Sequence, residues 1–232
     1  MKSIPHIIHQ IWSGIDGELP YFFKMLGNTW RYHHPNWEYR LWDNDKINKF
    51  IFDFYPEYSE KYNNFKYNIQ RWDAIRYLIL YKFGGLYVDF DYECIKPIDQ
   101  LIKNIECCFS CEPEQHCIYF GKNTLFNNAL IGCNPENDFI KKIISEVFNP
   151  VDPHKHQDRN MEVLVSTGPL MLTNLYEKYE LKKRIYLIPA YYVSPFSKKE
   201  SKHFLSGNQN YDLKERLRIA YAVHYFVGGW VK

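Results

Sequence analysis

Long apolar runs are missing from this 232-residue chain. The longest, residues 219–231, is broken by His224 and by Gly228 and Gly229. It falls short of the roughly 18–20 apolar residues that span a bilayer. The opening MKSIPHIIHQIW holds one lysine and no apolar core of a secretory signal, and no Asn-x-Ser/Thr sequon occurs anywhere. A cytoplasmic protein is expected. Net charge is nearly absent too, 29 Lys and Arg against 27 Asp and Glu giving +2. No helix-turn-helix, finger or RNA-motif signature is present, so no nucleic-acid partner is expected.

What charge there is, is unevenly spread. Residues 1–140 carry 14 basic and 18 acidic side chains, and residues 141–232 carry 15 and 9. The basic half includes Lys182, Lys183, Arg184, Lys198, Lys199 and Lys202, which suit phosphates or an anionic membrane surface, or form a merely solvated face. Of six cysteines, Cys107, Cys108, Cys111 and Cys117 fall in one stretch beside His116. Structural zinc sites usually pair two short-spaced couples across a longer loop, so reduced, mostly buried thiols are the better reading.

Aromatic residues are abundant at 18% of the chain, 20 Tyr, 16 Phe and 6 Trp. They suit sugar or nucleotide stacking, and equally a bulky core. With 46% hydrophobic and 24% charged residues, and no repeat or linker, one globular domain over 1–232 is expected.

Along the chain, β-rich 6–12, helical 20–32 and alternating 37–42 lead to a helix capped by Asp43 or Asn44, which signals an α/β fold. The clearest helix is 67–83, where Ile69, Trp72, Ile75, Ile79 and Leu80 recur at helical spacing and Gly84-Gly85 supplies the stop. Helices are also expected over 138–148 and 169–179, and strands over 184–188 and 219–226. Residues 149–160 and 194–212 read as polar loops.

Alternation over 86–91 makes a strand with Leu86, Val88 and Phe90 on one side and Tyr87, Asp89 and Asp91 on the other. Two carboxylates on one edge repel unless a cation offsets them, and such oxygen donors suit Mg²⁺ or Mn²⁺ completed by phosphates and water. In the preceding helix Asp73 and Arg76 lie three apart on one face, which alone is an ordinary surface ion pair.

The segment WDAIRYLILYKFGGLYVDFDYECIKPID resembles the sugar-binding Asp-x-Asp region of a retaining glycosyltransferase family. That family, the family 32 glycosyltransferases, includes capsule and lipopolysaccharide transferases, fungal initiating α-mannosyltransferases and, distantly, the clostridial glucosylating toxins. The similarity extends in order through IPHIIHQIWSG, HPNWEYRLWD, NNALIGCNPENDF, STGP and AVHYFVGGW. Trp72, Phe90 and Tyr92 are bulkier than the family's usual residues, and Asn137-Asp138-Phe139 stands where a His-Pro-Phe-like stretch is frequent.

The resemblance implies a GT-A type α/β fold with a mixed central sheet flanked by helices. It implies that Asp89 and Asp91 engage the metal and the donor diphosphate, that Asp73 and Arg76 hold the donor sugar, and that Tyr87 lines its pocket. Trp12 would stack on the base, Asn128 would approach the transferred sugar, and Thr167 and Gly168 would border the acceptor. Trp230 would close over the diphosphate. His224 is a candidate third metal ligand or a partly buried strand histidine. The expected activity is metal-dependent transfer of a hexose or N-acetylhexosamine from a nucleotide sugar, UDP-linked first and GDP-mannose second. The expected acceptor is a saccharide or lipid-linked saccharide in surface polysaccharide synthesis, with peripheral association at the cytoplasmic membrane face. A non-catalytic carbohydrate binder would not need all four charged groups. A phosphatase of the haloacid-dehalogenase type would want Thr or Val where Glu93 stands.

Overall fold

The computed structural model describes residues 3–15, 17–150, 158–207 and 211–228. Eight strands form among them: β1 (Ile7–Ile11), β2 (Glu38–Trp42), β3 (Gly85–Val88), β4 (Tyr92–Cys94), β5 (Cys107–Cys111), β6 (Phe126–Cys133), β7 (Tyr186–Ile188) and β8 (Ala222–His224). Six of them build one sheet in the order β2-β1-β3-β6-β5-β7, and β4 pairs with β8 in a small second sheet. β1 runs parallel to β2 and β3, whereas β6 is antiparallel to both β3 and β5. The mixed sheet with helices against it is the expected α/β architecture.

Strand alternation sorts the core into two layers. Tyr87 joins Phe109, Ile131 and Cys133 under the Asn68–Phe83 and Asp138–Phe148 helices. Leu86 and Val88 join Cys108, Leu130 and Ile188 on the opposite face with Trp30 of the Tyr21–His33 helix. Cys107 and Cys108 therefore point to opposite faces and cannot share one ion.

The Asn68–Phe83 helix is buried around its circumference from Asp73 to Leu80, as a helix wedged between a sheet and a second helical layer must be. Tyr67 and Gln70 cap its start reciprocally. At its end Gly84 takes φ +64° and Gly85 φ +99°, and a Cβ on Gly85 would stand 2.6 Å from the Ile7 carbonyl. Only glycine lets β3 approach β1 this closely after so sharp a reversal.

Four expectations change. β3 stops at Val88, because Tyr92 N donates to the Asp89 carbonyl at 3.2 Å and closes a turn that hands the chain to the second sheet. Asp89 and Asp91 thus sit in that turn and not on a strand edge. The polar stretch 194–212 holds a Lys198–Leu205 helix, capped by Ser197 with Glu200, and the start of a Tyr211–Ile219 helix, which leaves only Ala222–His224 as strand. Within 149–160, Asp158 caps the Arg159–Ser166 helix.

His9 fixes the junction of β1 with the glycine turn. Its Nε2 donates to the Gly84 carbonyl at 2.9 Å and its Nδ1 accepts from Trp42 Nε1 at 3.1 Å. The bond from Trp42 needs the neutral ring, and burial lowers the pKa to about 4 against the Gly84 bond, which favours the cation. An unfolded histidine titrates near 6.5, so this contribution is full above 6.5 and is lost as pH falls toward 4. The loss is on the order of 3 kcal/mol. Denaturant midpoints at pH 7 and 4.5 should show the parent losing stability more steeply than His9→Gln; equal slopes would remove His9 as the cause.

Candidate active site

A cleft of about 830 Å³ opens where β1, the start of the Asn68–Phe83 helix and the β3–β4 turn converge. Trp12, Trp72, Arg76, Tyr87, Asp89 and Asp91 all line it. Trp12 is held by its indole N–H, which donates to the Gly17 carbonyl at 2.9 Å, and meets the Phe90 ring edge-on at 6.2 Å. Phe90 in turn rests against Gly27, where a Cβ would come within 2.7 Å of its ring. A missing side chain on the Tyr21–His33 helix therefore makes room for the bulky residue between the two aspartates.

Beneath the cleft floor lies a closed polar network. Arg76 Nη2 stands 3.0 Å from Asp73 Oδ1, and both side chains are more than nine-tenths buried. Arg76 also donates to the carbonyls of Asn128 at 2.6 Å and Trp72 at 3.2 Å, and Nη1 lies 3.5 Å from Asp89. Its guanidinium covers the Tyr87 ring at 4.5 Å, and the Tyr87 hydroxyl donates to Asp89. Asp73 accepts from Asn128 Nδ2 and from the Thr167 hydroxyl, each at 2.8 Å. Tyr77, one turn along the helix, donates to the Thr167 carbonyl at 2.7 Å and accepts from Asn128 at 3.2 Å.

Burial raises the Asp73 pKa to about 6 against the pull of Arg76 and its hydrogen-bond donors, so the carboxylate stays mostly ionised at neutral pH. At the turn, Asp91 Oδ1 lies 3.3 Å from His224 Nε2, and Oδ2 accepts from Val227 N at 3.0 Å. Burial alone would raise Asp91; the charge and hydrogen bond of His224 outweigh it and lower its pKa. Burial likewise opposes protonation of His224, and Asp91 reverses that and raises it. His224 pairs with Tyr92 across β4 and β8 and stacks on its ring at 4.4 Å, with Nδ1 buried and without a hydrogen-bond partner among the described residues. Asp89 and Asp91 offer carboxylate oxygens that suit a hard divalent cation completed by phosphates and water; among the described residues no three His, Cys, Asp or Glu side chains are already gathered to hold one.

Of the residues expected at the site, the structure brings Trp12, Asp73, Arg76, Tyr87, Asn128, Thr167, Asp89, Asp91 and His224 into this one region. Asp73, Asn128, Thr167 and Gly168 are buried and are not among the residues that line the cleft; Asn128 and Thr167 stand behind Asp73. Trp230 lies outside the described residues.

Residues 22–108 match the family described as the glycosyltransferase sugar-binding region containing the DXD motif. An uncharacterized glycosyltransferase of Acanthamoeba polyphaga mimivirus is 30% identical over 205 residues, covering 83% of this chain and 73% of that protein. The chain belongs to this DXD glycosyltransferase family. Inositol phosphoceramide mannosyltransferase 1 of Schizosaccharomyces pombe is 33% identical over 187 residues, 78% of this chain and 54% of that protein. The chain spans about half the length of the curated fungal mannosyltransferases it first matches. A glycosyltransferase involved in glycosylation of the major capsid of PBCV-1 shares the GT-A fold at TM-score 0.52 and 12% identity, over 95% of this chain and 94% of that one.

Sequence reading of this family member missed Tyr77, although its four-residue spacing from Asp73 puts both on one helix face. It also missed Lys66, Tyr67 and Arg159 on the cleft wall, which no local pattern joins. Because Thr167 donates to a buried carboxylate, Thr167→Val should lower unfolding free energy by about 2 kcal/mol and Thr167→Ser by much less. Equal denaturant midpoints for the parent and Thr167→Val would show that the hydroxyl does not hold Asp73.

Proposed function

We propose that this chain is one catalytic domain that transfers a hexose from a nucleotide sugar with retention of configuration. The observation that carries the reading is the junction of two parts. An ionised Asp73, held by Arg76, Asn128 and Thr167, underlies the same cleft whose mouth carries Asp89 and Asp91. Asp89 and Asp91, together with the donor phosphates, would hold a Mg²⁺ or Mn²⁺, with a deprotonated His224 as a candidate further ligand; the bound cation would supply Lewis-acid stabilisation of the leaving nucleoside diphosphate.

The other groups position. Asp73 accepts from hydroxyls of the donor sugar, and its three protein donors keep it from rotating out of reach. Arg76 holds Asp73 and Asp89 in one register and adds positive field beneath the breaking bond. Tyr87 fixes Asp89 through its hydroxyl, and Trp12 offers its ring to the base. The acceptor oxygen bonds to the anomeric carbon as the carbon–phosphate oxygen bond breaks. The departing phosphate oxygen takes the acceptor proton on the same face.

The names of the fungal relatives, which are mannosyltransferases and a mannosyl-transferring synthase, support an activated mannose such as GDP-mannose ahead of UDP-sugars as the donor of this chain. They also favour a saccharide or glycolipid acceptor over a capsule or lipopolysaccharide precursor. No helix among the described residues is long and apolar enough to cross a membrane.

Asp89→Asn and Asp91→Asn should each cut metal-dependent release of nucleoside diphosphate by at least about 100-fold, given what a lost charge-stabilising group costs. Both variants should still fold, as circular dichroism would show. Full activity in both variants would refute the assignment.

A further inference from the structure

The wall of the cleft at the N-terminal end of the Asn68–Phe83 helix carries positive charge that the proposed transfer does not use. Lys66 and Arg159 reach this wall from segments far apart in the chain and meet over one aromatic ring. Lys66 Nζ lies 4.9 Å from the Tyr67 ring centre, and Arg159 Cζ lies 5.1 Å from it. Glu162 pairs with Lys66 at 2.8 Å and neutralises it. Arg159 is exposed, and among the described residues no carboxylate stands within ion-pair distance of it. Among the described residues the wall therefore keeps one unpaired cation, on the group whose planar fork best matches a phosphate. The 16-residue helix that begins beside Tyr67 adds the positive end of its dipole.

The donor's own phosphates do not account for this wall. They are bonded directly to the transferred sugar, and would lie with the cation that Asp89 and Asp91 would hold. Tyr67 precedes Asp73 by six residues, or roughly 9 Å along the helix axis at 1.5 Å per residue. That rise sets the Tyr67 ring and its two cations apart from Asp73 by more than the width of one sugar or polyol ring. An acceptor carrying negative charge must also present it away from Asp89 and Asp91.

We infer that Lys66, Tyr67 and Arg159 form an acceptor subsite that binds a phosphate ester on a sugar, polyol or lipid headgroup, with Arg159 as its specificity-determining residue. The inference rests on the glycosyl-transfer reading and names the acceptor class for that same cleft.

Titration calorimetry of the full chain, with Mg²⁺ present, separates the two claims. The probes are inositol 1-phosphate and mannose 6-phosphate, each beside its neutral twin, and GDP and UDP. Arg159→Gln should weaken binding of the phosphate esters by at least tenfold, Arg159→Lys should fall between it and the parent, and neutral twins and nucleotide should keep their affinities. Sedimentation with phosphatidylinositol vesicles adds the source: binding that Arg159→Gln weakens points to a lipid headgroup, and binding confined to the soluble esters points to a free phosphate. Undiminished ester binding by Arg159→Gln overturns the inference, as does a loss that falls on the nucleotide instead. A parent that binds nucleotide but no phosphate ester or vesicle overturns it and leaves glycosyl transfer standing. A parent that binds no nucleotide overturns both.

Discussion

A carboxylate and a guanidinium buried side by side lose their water, and their mutual attraction alone seldom repays that loss. Asp73 and Arg76 are both nearly inaccessible, so the region around them is arranged to supply what the pair lacks. Asp73 receives two hydrogen bonds from Asn128 and Thr167, and Arg76 gives two to backbone carbonyls and covers an aromatic face. Four chain segments must be in place for the pair to exist: the central helix, β3, β6 and the Thr167 turn. The cleft floor is thus a consequence of the fold closing and not a local motif.

The same logic extends to the cleft mouth. Arg76 links the floor to Asp89, while Asp91 is held from the other side by His224 and by the backbone after β8. The two aspartates of one short motif are therefore controlled by opposite ends of the chain. Phe226, at φ +51°, sits 3.9 Å from the His224 ring and bends this late segment toward Asp91. A bulky residue in that backbone region is uncommon and persists only where its surroundings enforce it.

Much of this was legible in the chain, and the limit was distance in sequence. The Asn68–Phe83 helix, its glycine stop and the Asp43 cap are written in adjacent residues, and Asp73 and Arg76 share a face by spacing alone. The end of β3 at Val88 was not legible, because it follows from Tyr92 pairing with His224, 132 residues later. Nor were the partners of Asp73, which arrive from 55 and 94 residues away. Ser197-x-x-Glu200 is different: a helix start was spelled out locally, but its polar setting reads as loop, since the helix buries little apolar surface. Likewise Arg159 and Lys66 carry no shared pattern until the fold lays both on Tyr67.

The central claim is that the buried Asp73 network and the Asp89–Asp91 turn together form a cation-dependent nucleotide-sugar site. Thermal unfolding of the intact chain with GDP-mannose and a panel of UDP-sugars, with and without Mn²⁺, tests it directly, since a ligand that binds the folded state raises its melting temperature. At least one donor should raise the midpoint with Mn²⁺ present and leave it unchanged without the cation. Midpoints that no donor moves in the presence of Mn²⁺ or Mg²⁺ would contradict the account.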